Sequence, residues 1–223
     1  MGRSQQAGWH VRRYRRGDRS AVRSICAATA WLGEPAPERI ADEWIWAEFW
    51  TRYFTDREPQ TSWTVARRTD GAVGGYLTGT ADVGRFDRYV PFLLPGIVLR
   101  VVRKRLIRRR PSRRALLGFL RLFADDEMAL PPGVARHYPA TFHMNLLPEA
   151  RRHGLGSRLL DRFLDRMRAM GTLGVHTQPL SVNQPIQRFL ERRGFRLLAS
   201  RPCHAFAHAD PRPMDVQTWV LPL

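Results

Sequence analysis

Lysine is nearly missing from this 223-residue chain: of 37 basic residues, all but Lys104 are arginine. Acidic residues are few as well, 20 against those 37, so the formal net charge is +17. An excess of that size suggests an acidic partner without saying which. Cysteine is scarce. Cys26 and Cys203 cannot make the disulfide framework of a small secreted domain, and no apolar signal segment follows the initial MGRSQQ, so a reducing, cytoplasmic setting is expected. Long hydrophobic runs are lacking too. The most apolar stretch, Tyr89 to Leu99, falls well short of the ~20 residues that span a bilayer and carries Pro91 and Pro95. The longer uncharged run from Ala169 to Gln187 is too rich in Gly, Thr, Gln and Asn to serve. What is present, 43% hydrophobic and 26% charged residues, excludes whole-chain disorder and allows one large domain or at most two small ones.

The charge is unevenly placed. Between Arg100 and Arg121 there are ten basic residues and no acidic one, so more than half of the excess sits in a tenth of the chain.

Periodicity gives the element order. An extended stretch from His10 leads to Asp18, a good N-cap, and to a helix with Ala21, Val22, Ile25 and Cys26 on one face. Glu38 to Phe54 reads as a second helix whose aromatics pack a core or line a ligand site. Trp63 to Arg68 and Ala72 to Thr80 flank Asp70-Gly71 as an antiparallel hairpin. Pro139 to Leu147 is extended, and a long amphipathic helix from Leu155 ends at Gly171. Val175 to Gln178, Gln184 to Arg193, Phe195 to Ser200 and Val216 to Leu221 then read as strand, helix, strand and strand. The order is β-α-α-β-β, an interruption at 85–137, and β-α-β-α-β-β. Within the interruption Leu94 to Arg109 and Arg114 to Phe123 look helical, and some fifty residues with so few large apolar positions make a poor core alone, so it reads as an insertion.

Arg151-Arg-His-Gly-Leu-Gly-Ser opens a helix directly after a strand. Glycine lets a backbone approach a ligand closely, and a helix start offers unpaired amides with partial positive charge, which together suit a phosphate. The plain alternative is a turn that uses glycine for geometry alone. The turn is neither the dinucleotide fingerprint, since Leu159 stands where a third glycine belongs, nor a Gly-Lys-Ser/Thr loop.

Arg151-x-x-Gly154-x-Gly156 behind a strand and Pro148-Glu149, followed by Asn183, Phe189, Glu191 and Gly194-Phe195, resembles the GNAT superfamily of N-acetyltransferases. The likeness covers about 9–84 and 137–222. Tyr138 to Glu149 and Gly174-Val-His look, more narrowly, like the acetyltransferase-like domains related to the C-terminal part of O-GlcNAcases. The resemblance implies a single α/β acetyltransferase domain over 1–223, as monomer or homodimer. Its sheet is mixed and mostly antiparallel, splayed between strands 4 and 5, flanked by helices, with the Arg-rich helical insertion between strands 3 and 4. It implies acetyl-CoA as acyl donor, lying in the splay. Backbone at Met144, Asn145 and Leu146 would meet the acetyl and pantetheine part. The pyrophosphate would sit on the turn of Arg151, Arg152, His153, Gly154, Leu155, Gly156 and Ser157, and Asn183 would reach the pantetheine arm. An amine of a small molecule or peptide would be the acceptor.

Transfer to an amine requires loss of a proton from a group that titrates near ~10.4, so a base or relay is needed. His143 and His176 lie on the two strands in question. His143 shares a strand face with Thr141 and Asn145 and is the better candidate, the alternative for each being a hydrogen-bonded sheet histidine. Many members protonate the departing thiolate with a tyrosine. Leu190 occupies that position here, and Gln178 stands where some members carry a basic Glu. Tyr138 and Tyr76 are the substitutes the sequence offers. A metal at Cys203, His204 and His208 is not expected, because an extended chain parts the two histidines by ~13 Å.

The Arg-rich segment is read as a solvated face, as a cover over the acceptor site, or as a surface for nucleic acid or an acidic membrane. The last defines an alternative function, an acetyl-CoA-binding module with weak or no catalysis, docked through residues 100–121. Asp82, Asp87 and Asp125-Asp126-Glu127 are the acids available to attract a cationic acceptor or to solvate the surface.

Overall fold

In the computed structural model, which describes residues 8–35, 43–108 and 125–223 with 113–114, 116–118 and 120–121, the chain opens on β1 (Trp9–Arg13). Helix α1 (Arg19–Ala28) follows, burying Val22, Ile25 and Cys26. Asp18 stands at its N-cap position, yet its side chain reaches backward. It accepts from Arg12 at 2.6 and 2.8 Å, from the Arg15 amide at 2.9 Å and from Thr64 at 3.2 Å. Burial alone would raise this carboxyl's pKa. The Arg12 guanidinium and the other donors outweigh it and hold the group below its ordinary value.

Helix α2 (Glu43–Asp56) carries the expected aromatics, and its expected beginning at Glu38 lies outside the described residues. The hairpin is β2 (Trp63–Arg67) and β3 (Val73–Thr80), turned at Gly71 with φ +73° and an Asp70 carboxylate that accepts from the Ala72 amide.

The interruption begins at once with α3 (Val83–Tyr89), capped by Asp82 through the Gly84 amide, and continues with α4 (Leu94–Arg103). The first of these is a helix that the periodicity of the sequence does not predict. The expected helix to Arg109 stops at Arg103, and Leu106–Arg108 form a separate 3-10 turn. Residues 113–114, 116–118 and 120–121 are helical, while Arg109, Arg110 and Pro111 lie outside the described residues. Among the described residues, the apolar side chains of the insertion join a core built with other elements. Leu93, Ile97, Val101 and Leu106 share one cluster with Ile45, Trp46 and Phe49 of α2 and with Phe206, Met214 and Val216.

After α5 (Val134–His137) come β4 (Ala140–Leu146), α6 (Leu155–Ala169), β5 (Gly174–Thr177), α7 (Gln184–Arg192), β6 (Arg196–Pro202) and β7 (Asp215–Pro222). Seven strands form one sheet in the order β1-β2-β3-β4-β5-β7-β6, and β4 with β5 is the parallel pair in it. Leu159, Leu160, Phe163 and Met167 of α6 bury one face of the sheet against Val65, Leu77, Phe142 and Val175.

One irregularity positions the site. β4 pairs with β3 along its whole length, from Thr80↔Thr141 to Gly75↔Leu146. With β5 it pairs only at Ala140↔Val175 and Thr141↔His176. From Phe142 onward the edge of β4 that would face β5 has no strand partner among the described residues, which is the splay expected between strands 4 and 5.

Candidate active site

Alternation along β4 puts Thr141, His143 and Asn145 on one face, and the register pair Thr141↔His176 puts His176 on that same face. Both histidines therefore stand at the opening of the splay, one on each arm. Each is engaged through Nδ1. His176, 2% exposed, has Nδ1 at 2.6 Å from the Tyr138 carbonyl oxygen. A carbonyl only accepts, so Nδ1 carries the hydrogen and Nε2 keeps its lone pair. His143 has Nδ1 at 3.1 Å from the hydroxyl of Tyr76, which accepts from Asn145 Nδ2 at 3.1 Å. Trp50 of α2 stacks on the His143 ring at 5.5 Å and 16°.

Burial decides the charge of both rings. It lowers His143 from 6.5 to about 4, and it lowers His176 to about 4 against the opposing pull of the Tyr138 carbonyl. Both are neutral at pH 7. Behind His143, burial first and then the neighbouring Cys26 push Tyr76 well above its ordinary value, and burial raises the Cys26 thiol to about 11. Tyr76 and Cys26 are thus neutral supports. Tyr76 comes opposite Asn145 in the β3–β4 register, a pairing that strand alternation alone does not reveal.

The opening leads into a cavity of about 580 Å³ lined by Thr141 to Asn145 of β4, by His176 to Gln178 and by the helices that cover this face. Trp46, Phe49, Trp50 and Phe54 of α2 line it, so the aromatics that pack the core also form its wall. The insertion contributes Val83, Phe86, Asp87 and Val90. Among the described residues no lysine or arginine lines this cavity, although the chain carries 37 of them. Its acidic residues are Asp87 and Asp126, both exposed, and burial followed by the nearby Asp82 raises the Asp87 carboxyl.

The glycine turn lies against the end of β4. Arg152 and Gly154 take positive φ, +64° and +69°, and a side chain at Gly154 would meet nothing within 4 Å. The first bond inside α6 runs from the Arg158 amide to the Gly154 carbonyl, so the amides of Leu155, Gly156 and Ser157 have no helical partner. A side chain at Gly156 would come within 3.5 Å of Leu146. Arg152 is exposed, and His153 and Ser157 are half-buried. Asn183 precedes α7, lines the cavity and caps nothing with its side chain. An anionic group with an extended polar arm fits these features: open amides, an unpaired strand edge and a free carboxamide.

Some expected residues are used otherwise. The Arg151 guanidinium is turned from the turn: Nε donates to the Leu146 carbonyl at 2.9 Å, and the terminal nitrogens bind the Gly33 carbonyl and Glu34. It ties the α1–α2 loop to β4, which leaves Arg151 only its backbone for a ligand and occupies the carbonyl of Leu146. Leu190 is fully buried in the core. Neither substitute tyrosine lines the cavity, since Tyr138 accepts from Arg196 at 3.0 Å and Tyr76 is fully buried. Glu127, counted as a surface acid, is buried and accepts from the amides of His204 and Ala205 and from the Cys203 thiol. The His208 ring meets the Ala205 carbonyl. Among the described residues no three His, Cys, Asp or Glu converge as a metal site.

Comparison with known proteins bears on the same region. The acetyltransferase (GNAT) family matches residues 106–195, which contain β4, the glycine turn, β5 and α7. The crystal structure of SsHAT superposes with a TM-score of 0.71 at 27% identity, covering 96% of this chain and 98% of that one. A polyamine N-acetyltransferase of Drosophila melanogaster that forms N-acetylagmatine gives 0.58 at 21%, covering 96% and 100%. The yncA protein of Salmonella typhimurium, solved with its cofactor acetyl-CoA, gives 0.55 at 17%, covering 96% and 94%. The last two share the fold. The narrower likeness to the domains related to O-GlcNAcases stays one of sequence. A sheet that parts between its parallel strands beside a glycine turn, and a family match centred on those elements, agree on one conclusion: the chain has the GNAT fold, and its residues 106–195 are similar to the acetyltransferase (GNAT) family.

Proposed function

We propose that the chain transfers the acetyl group of acetyl-CoA to a primary amine that reaches β4 and β5 through the aromatic cavity. The observation that carries this reading is the unpartnered edge of β4 from Phe142 onward, running toward the free amides of Leu155, Gly156 and Ser157. Acetyl-CoA, when bound, supplies the activated acyl group. Backbone at Met144, Asn145 and Leu146 holds the arm, with the Leu146 carbonyl excepted, and the turn from Arg151 to Ser157 holds the pyrophosphate by its amides. Arg152 and His153 border that turn, and the Asn183 carboxamide meets the pantetheine.

The two histidines take different parts. His176 presents an Nε2 lone pair in a tautomer fixed by Tyr138, so it is the acceptor of the amine proton. The Tyr76 hydroxyl, already accepting from Asn145, shares a hydrogen bond with His143 Nδ1, so His143 is the held, orienting ring of the pair. This reverses the order in which the sequence ranks the pair. A ring at about 4 cannot strip a resting ammonium at ~10.4. It can take the proton as bond formation removes the nitrogen's basicity. The amine arrives as a cation drawn by Asp87 and Asp126 into a cavity without competing arginines among its described residues, and desolvation against its apolar lining favours the neutral form further in.

One observation favours weaker catalysis: Leu190 is buried where a tyrosine would protonate the thiolate. A thiol near ~8.5 is still a tolerable leaving group. Release of free thiol from acetyl-CoA over a panel of polyamines, arylalkylamines and lysine peptides tests the proposal, together with the melting temperature in millimolar acetyl-CoA. Turnover with at least one amine is expected. A thermal shift without turnover leaves a binding module, and no shift at all sinks both readings.

A further inference from the structure

Helix α4 has two apolar faces and only one of them is used. Ile97 and Val101 turn inward to Trp46 and Phe206, while Val98, Leu99 and Val102 turn outward, 58%, 57% and 63% exposed. Phe92, just before the helix, is 73% exposed and Leu94 46%. Of the eleven exposed large apolar residues in the described chain, these five with Leu117 and Leu120 make seven, all within 92–120. A surface helix ordinarily turns polar residues outward, and a contiguous apolar patch on a protein surface marks an interaction site. The cations interleave with it. Arg103, Lys104, Arg105, Arg108, Arg113, Arg114 and Arg121 are exposed, Arg100 lies over the Trp44 ring at 4.7 Å, and no acid falls between Arg100 and Arg121.

We propose that this face of the insertion docks on an anionic lipid bilayer, with Phe92, Val98, Leu99 and Val102 entering the interfacial layer and the surrounding arginines on lipid phosphates. The mixture of side chains chooses the partner. A nucleic acid backbone would satisfy the arginines and gain nothing from burying valine and leucine. A second copy of the chain would cover the apolar residues but bring two ten-charge blocks together. An anionic leaflet meets both components at once. No helix among the described residues is long and apolar enough to cross a membrane, so the segment lies on the surface. The same insertion lends Phe86 and Asp87 to the cavity, which places the docking face and one cavity wall on a single stretch of chain. The inference goes beyond the transferase reading and stands without it.

Sedimentation of the full chain with vesicles tests it, at 0.1 M and 0.5 M salt, with 30% phosphatidylglycerol in phosphatidylcholine against phosphatidylcholine alone. The expected result is binding to the anionic vesicles only, weakened at least tenfold by the higher salt. The variant Val98→Gln/Leu99→Gln/Val102→Gln keeps every charge and is expected to lose at least tenfold, while its melting temperature stays near that of the parent. Arg103→Gln/Lys104→Gln/Arg105→Gln is expected to lose binding and salt sensitivity together. No binding to anionic vesicles at 0.1 M salt overturns the proposal, as does undiminished binding by the apolar triple variant. Salt-steep binding to duplex DNA without vesicle binding assigns the face to nucleic acid instead, and a dimer broken by the apolar triple variant assigns it to a second copy. Acetyl-CoA binding, measured separately, reports on the transferase reading alone.

Discussion

Replacing His176 by glutamine should flatten the acid side of the stability profile by a calculable amount. His176 is 2% exposed, and burial lowers its pKa from 6.5 to about 4. Between those two values the unfolded chain binds a proton that the native site refuses, so stability rises with pH across the window and is lost as pH falls from 6.5 toward 4. From pH 7 to pH 5 the loss attributable to this one ring is about 2 kcal/mol, by linkage at 1.36 kcal/mol per unit. His176→Gln removes the titration and also disturbs the bond to the Tyr138 carbonyl, which costs about 1–2 kcal/mol at every pH. That constant term cancels when each protein is compared with itself. Urea unfolding followed by tryptophan fluorescence, at pH 7 and pH 5, should give a wild-type loss about 2 kcal/mol larger than the variant's. Equal losses in the two proteins would falsify the picture of a buried neutral imidazole, and with it the tautomer assigned to the candidate base.

Three further outcomes follow from the site. Arg151→Ala should lower stability by about 1–2 kcal/mol, since it frees Gly33, Glu34 and the Leu146 carbonyl, yet change the acetyl-CoA dissociation constant less than about threefold. Calorimetric titration checks the second part, and a tenfold loss would return the guanidinium to the phosphate. Leu190→Tyr should not raise the rate of thiol release, because the position is fully buried and the larger ring would overpack the core by about 1–3 kcal/mol. A gain in kcat would mean that α7 can turn that side chain into the splay. The logarithm of kcat/KM should rise with unit slope toward the amine's own pKa of ~10.4, with no inflection between pH 6 and 7, as both site histidines are already neutral there. An inflection near 6.5 would place a solvated histidine in the mechanism.

What the sequence made legible is what periodicity and glycine report. The stripe of Leu159, Leu160, Phe163 and Met167, the turn at Gly154 and Gly156, and the alternation that pairs His143 with Asn145 all follow from local rules, and α6 and β4 match them. Long-range partners were not legible. Nothing local to Arg151 says that its guanidinium will be taken by a loop 118 residues away. Nothing local to Glu127 says that it will close a turn at Cys203 to Ala205. Helix α3 was missed because Val83 to Tyr89 mixes Gly, Asp and Arg with few apolar residues, a pattern whose helical start rests on one cap, Asp82. The role of Tyr76 depended on register, which is fixed by the hairpin and its shift between Val65 and Ala66 rather than by any motif.

The electrostatics of the chain then resolve into opposed regions. A formal charge of +17 spread evenly would repel a cationic acceptor from every approach. The cavity avoids this because its lining draws on hydrophobic α2 and on α3, which brings Phe86 and Asp87, and among the described residues no arginine enters it. The positive charge is concentrated elsewhere, on the outward face beyond α4, where it stands beside exposed apolar residues. Both arrangements come from one insertion of helices between β3 and β4. An amine binding at the splay and an anionic surface binding at α4 would therefore touch the same insertion at different residues. Occupancy of one should be felt at the other only to the extent that Leu93, Ile97 and Val101 hold α4 against the α2 aromatics as a rigid unit.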